Sequence, residues 1–194
     1  MALSRINSSM IGAGDVSNTE HAYLNSVSSN VQTQIDGAGL TQGTATASTS
    51  GTAITFTGIP SGTKRIVFSF NEVSSSGTSL WHMRIGDAGG IETVDYEGNT
   101  ANGGGTDLDH ATNDGHVINN PAAAAQLYSG VMEWILVDSS TNTWVSRSVV
   151  ASEADCYYGG GSKSLSAELT QVQLTTAGGS DTFDAGKVNI QYEL

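Results

Sequence analysis

The chain has 194 residues, with 24 glycines, 2 prolines and only 13% charged side chains, a composition that suits short strands and turns rather than helical bundles. Its 7 basic and 19 acidic residues leave a net charge of −12, which repels phosphate backbones and anionic lipid, so neither nucleic acid nor a membrane surface is an expected partner. No run reaches the ~18 apolar residues of a membrane span, and the opening MALSRINSSMIG has no continuous apolar stretch of the secretory kind. The single cysteine, Cys156, cannot form an internal disulfide, and its use is compatible with folding in a reducing cytoplasm.

Residues 1–16 are polar, with isolated Ile6, Met10, Ile11 and Val16. Such a segment cannot build a core alone and reads as an extended arm that orders against another surface. Ser17-Asn18-Thr19-Glu20 fits a capping box and predicts a helix start. The helix is expected over 17–36, with Gly37 as its stop. Leu24, Val27 and Val31 follow three–four spacing, and Gln34 takes the next slot. That is a coiled-coil stripe of about two heptads. It is narrower than the apolar face of a helix laid on a globular core, so it predicts a neck packed against copies of itself. Residues 37–52, GAGLTQGTATASTSGT, read as a linker.

From Ala53 the apolar period becomes two. Ile54 and Phe56, then Ile66, Phe68 and Phe70, flank the turn GIPSGTK and are expected to form a hairpin. Trp81, Met83 and Ile85 mark one face of the next strand, which GDAGG ends. Residues 92–125 are irregular, with short strands expected near 93–96 and 116–118. A loop this long reads as an exposed, variable surface. Gln126–Asp138 is apolar at both parities, which predicts burial on both faces, one by the core and one by a neighbouring copy. Trp144–Val150 forms a further strand, and Ser152–Lys163, with DCYYGGG, is expected as a loop. Strands around Leu169–Leu174 and Val188–Leu194 complete the chain. About eight short strands predict a mainly β protein: an antiparallel β-sandwich, jelly-roll-like in its simplest form, over residues 53–194.

Catalytic patterns are not recognised. No serine sits in G-x-S-x-G, and His21, His82, His110 and His116 include no H-x-x-x-H pair. DLDHATND, at 107–114, alternates acidic groups but lacks the spacing and distal glutamate of a calcium loop. No enzyme activity, metal or cofactor is therefore expected. Aromatic residues beside glycine-rich, acidic loops suit sugar rings or protein interfaces. Tyr96, Asp107, His110, His116, Tyr157 and Tyr158 are the candidates for such a surface, whereas Trp144 is assigned to the core. Tyr157 and Tyr158 are consecutive, so in an extended segment only one of them points outward.

The stretch INSSMIGAGDVSNTEHAYLNSVSSNVQTQIDG, residues 6–37, resembles shaft and attachment segments of bacteriophage tail-fibre proteins. FTGIPSGTKRIVFSFNEVSSSGTS, RIGDAGGIET and DTFDAGKVNIQYEL are similar to a globular domain of phage and prophage virion proteins. The resemblance implies a homotrimer, made in the host bacterial cytoplasm and assembled on a virion, with no catalytic residues to carry over. In that frame Ile6, Met10, Ile11 and Val16 dock on another virion protein. Leu24, Val27, Val31 and Gln34 hold the trimer, and the β domain faces a host cell-surface glycan. A single shaft-like segment fits a short fibre. The alternative is a capsid cement or decoration trimer.

Overall fold

The computed structural model describes residues 39–103, 107–108, 113–121 and 123–194. The expected arm over 1–16 and neck helix over 17–36 lie outside the described residues. From Gly39 onward the chain forms one compact unit.

Among the described residues fourteen strands follow in order: β1 Thr41–Gln42, β2 Thr46–Ala47, β3 Ala53–Thr57, β4 Arg65–Ser75, β5 Trp81–Asp87, β6 Gly90–Ile91, β7 Glu97–Asn102, β8 Asp107–Leu108, β9 His116–Asn119, β10 Tyr128–Asp138, β11 Thr143–Ala151, β12 Cys156–Ser164, β13 Gln171–Thr176 and β14 Phe183–Glu193. They form two antiparallel sheets. The large sheet runs β1-β14-β4-β10-β11-β12-β7-β8, with β2 also on β14, and the small sheet runs β3-β13-β5-β6, with β9 also on β5. The described unit is thus mainly β and sandwich-like.

Period-two alternation fixes which side chains enter the core. Ile66, Phe68 and Phe70 of β4 are buried, as are Met132 and Trp134 of β10 and Val188 and Ile190 of β14. They meet Met83 and Ile85 of β5 and Val172 and Leu174 of β13 in one apolar cluster. Aromatic edges join the two sheets: Phe56 packs on Phe68 with centroids 5.5 Å apart, and Trp81 packs on Tyr128 and on Phe183, each at 5.4 Å. Such pairs add about 0.5–1.5 kcal/mol each beyond the area they bury.

Three expectations are corrected. The runs 53–57 and 65–70 are not a hairpin: β3 pairs with β13, and β4 pairs with β10 and β14. Their intervening turn crosses between sheets, because Ile54 and Phe68 belong to opposite walls of the core. The linker expected over 37–52 is partly strand, since β1 and β2 lie against β14. Ser48 is buried there and donates to the Ala185 carbonyl at 2.7 Å. Edge pairing needs only backbone donors and acceptors, so a polar Thr/Ala segment suffices.

The third correction concerns the loop expected over 152–163. Residues 156–164 are β12, paired with β11 and with β7. The glycines that suggested a loop serve close packing. Gly161 lies opposite Gly98, and the His116 ring rests over both. A Cβ on Gly161 would overlap the Glu97 carbonyl oxygen and the His116 ring. We expect Gly161→Ala to lower unfolding free energy by about 2 kcal/mol in urea titrations, whereas an unchanged midpoint would refute this packing role.

Candidate functional site

The ladder has two ends. Arg65 lies opposite Ile135 and Glu193 at one end, and Val73 lies opposite Tyr128 at the other. Thr41 pairs with Tyr192, so the described chain enters beside Arg65. The opposite end gathers the connections 76–80, 120–121, 123–127 and 152–155, and the segment 177–182, which includes the 3-10 turn Ala177–Gly179. Exposed Ser76, Leu127, Glu153, Ser180 and Thr182 stand there. The end is ordered by short polar contacts. Asp181 accepts from the Ser79 N–H at 2.8 Å, and hydrogen bonds from Ser79 hold its carboxyl below the ordinary aspartate pKa. Gln126 Nε2 donates to Ser152 Oγ at 2.9 Å.

Several residues expected to face a receptor are buried. Tyr96 is in the core; its hydroxyl accepts from the Ile85 N–H at 2.8 Å and lies 3.0 Å from the Ile85 carbonyl oxygen, to which it can donate. Burial pushes its phenol well above the ordinary tyrosine pKa. His116 is buried between Trp134 and Tyr96, at centroid distances of 4.7 and 5.6 Å, with Nδ1 2.9 Å from Ser146 Oγ. Tyr157 is buried and donates to the Asn120 carbonyl at 2.8 Å; desolvation, then Asp155, raises its pKa. These side chains fill the space left over glycine-rich strands, and that need outweighs their loop-like sequence context. Tyr158 is 51% exposed and points outward, as the alternation of the pair requires.

Of the other candidates, Asp107 opens β8 opposite Ala101. His110, the attachment residues Ile6, Met10, Ile11 and Val16, and the oligomerisation residues Leu24, Val27, Val31 and Gln34 lie outside the described residues. Trp144 is buried in the core.

The Ser146–His116 pair is a serine–imidazole contact, but the cavity beside it is about 20 Å³, room for about one water molecule rather than a substrate. His82 Nδ1 and Arg84 Nη2 approach the Asp114 carboxylate at 3.2 and 2.6 Å, which ties the segment 113–115 to β5. Lys163 is buried, pairs with Glu92 at 2.5 Å and lies 5.4 Å from the Tyr96 ring centre. Among the described residues no cluster of three or more His, Cys, Asp or Glu is placed to hold a metal ion.

The outer face of the large sheet is the most distinctive surface. Val131, Ile135, Val145, Val149 and Tyr158 are 39–51% exposed on it. Glu133 stands among them yet is buried, because Arg65 and Arg147 from the flanking strands both clamp its carboxylate. Reading the sequence alone misses this triad. The signal is Glu133 itself, the one charged residue amid apolar neighbours within MEWILV, but its partners appear only once the strand register is known.

No protein-family model, curated protein or solved structure matches this chain.

Burial alone raises the Glu133 pKa, but hydrogen bonds from Arg65 and Arg147 outweigh it and hold the carboxyl below its ordinary value. A lowered folded pKa means the stabilisation is complete above the unfolded value of about 4.3 and fades as pH falls through the folded value. Glu133→Gln is expected to cost about 1 kcal/mol at neutral pH, the Arg side chains being partly solvated. The cost should vanish well below pH ~4. Urea titrations across pH check this; a loss that is the same in acid would contradict it.

Proposed function

We propose that this chain is a phage virion structural protein, a short homotrimeric tail fibre. Residues 1–16 are its attachment arm and 17–36 its coiled-coil neck, and the sandwich is a jelly-roll-like head that meets the host surface. The resemblance of residues 6–37 and of the β domain to phage virion proteins motivates the reading. One structural observation supports it: within the described residues, Thr41 lies beside the Arg65 end of the large sheet, and the connections 76–80, 123–127 and 152–155 gather at the other end.

In this reading the receptor surface is the loop end, around Gln126, Leu127, Glu153 and Ser180, rather than Tyr96, His116 and Tyr157. Three copies turn weak contacts with a cell-surface glycan into useful avidity. A capsid cement trimer is the second reading, favoured by the apolar outer face of the large sheet, which suits lateral packing between capsid neighbours.

Electron microscopy of labelled virions separates the two. Copies in threes at the tail are expected, and hundreds over the shell would replace the fibre with cement. Leu24→Asp with Val31→Asp should weaken the trimer in sedimentation while leaving the β signal in circular dichroism intact; an unchanged trimer would remove the neck from assembly. Leu127→Arg with Glu153→Arg should lower host adsorption at least ~10-fold by loss of avidity without loss of particle assembly, and full adsorption would exclude the loop end as the receptor surface.

A further inference from the structure

We infer that the groove between the β1–β2 connection and strands β14 and β4 binds a carboxylate-bearing sugar, with Lys187 holding its charge. The inference needs neither the trimer nor a position on a virion.

The groove follows from the strand register. Asn71 lies opposite Lys187, and Ser69 opposite Asn189. All four are on the outer face of the large sheet, because Phe68, Phe70, Val188 and Ile190 take the buried parity. The ladder is irregular at one end of this block. Ser74 pairs with Ala185 and Asn71 with Lys187, so Glu72 and Val73 face Gly186 alone. Gly186 has φ +85° and Glu72 φ +53°, the latter uncommon outside glycine. Such bulges re-aim side chains and are over-represented beside functional sites. A Cβ on Gly186 would overlap the Asn71 and Glu72 carbonyl oxygens, so the glycine is what lets the strands close here. Gln42 and Ala45 form the rim. Asn189 ties that rim down: its Nδ2 donates to the Gly43 carbonyl at 3.1 Å, and its Oδ1 accepts from the Ile190 N–H at 2.8 Å. The groove has a volume of about 210 Å³. Sites for drug-sized ligands begin near ~300 Å³, so this one suits a single sugar ring.

Its side chains are unspent. Among the described residues Arg65, Arg84, Arg147 and Lys163 are each in an ion pair, and Lys187 is in none. Glu72, next to Asn71, forms no ion pair with it. Gln42, Ser69 and Asn71 make no side-chain hydrogen bond among the described residues. An ammonium offers three donors to a carboxylate. Amides and a hydroxyl both donate and accept, as ring hydroxyls do. An anion without hydroxyls would leave the amide carbonyl oxygens unused. The net charge of −12 repels polyanions. A single carboxylate touching Lys187 answers to nearer charges, since those beyond about 8 Å are largely screened at physiological salt.

Saturation-transfer NMR on the full-length chain tests this, with methyl glucuronide as the probe and methyl glucoside as its neutral control. The glucuronide should bind at least ~10-fold more tightly, the worth of a charge-assisted hydrogen bond. Lys187→Gln should remove that margin, and Asn71→Ala should weaken both ligands. Lys64→Gln, the same charge change beside Arg65, should alter neither. Lys187, Asn71 and Lys64 are all exposed, and circular dichroism checks that the variants fold. Any of five results would overturn the inference: a wild type that binds neither ligand, equal binding of both, a Lys187→Gln variant that keeps the margin, a Lys64→Gln variant that loses it, or inorganic phosphate competing as well as the glucuronide.

Discussion

A pleated strand sends alternate side chains to opposite faces, and in β10 both faces are apolar. Tyr128, Met132 and Trp134 are satisfied by the core, while Val131, Ile135 and Val137 remain in water. Much of the molecule follows from that asymmetry. The inward parity anchors the large sheet to the small one through Trp81, Tyr128 and Phe183. The outward parity, continued by Val145 and Val149 on β11, leaves exposed apolar side chains around Glu133, which Arg65 and Arg147 neutralise, while Arg65 also pairs with Glu193.

The Arg65–Glu133–Arg147 triad is a poor device for stabilising a monomer. Replacing a buried carboxylate and its guanidinium partners by well-packed apolar residues of similar volume is often neutral or stabilising. Its value lies in specificity. It keeps the flank soluble enough to fold and sets a polar marker within an otherwise slippery apolar surface. The capsid cement proposal draws on this flank, and the tail fibre proposal draws on the other surface, the loop end.

How much of this was legible in the sequence depends on the kind of residue. Ile66, Phe68 and Phe70, the two parities of 128–138, and Val188, Ile190 and Tyr192 announce their strands because alternation is a local property. Partner choice is not local, so the pairing of β3 with β13 rather than β4 was hidden. β1 and β2 pair through backbone alone and leave no side-chain signature. The Gly159–Gly161 run looked like a turn because glycine signals flexibility and close packing with the same letter; His116, lodged over Gly98 and Gly161, is what distinguishes the two. Tyr96 and Tyr157 were misread for the same reason, being core residues set among turn-forming neighbours. Tyr158 was legible from parity alone.

Electron cryomicroscopy of the purified full-length protein tests the central claim most directly. The account predicts three copies of the chain associated with one another. A single folded copy would contradict it.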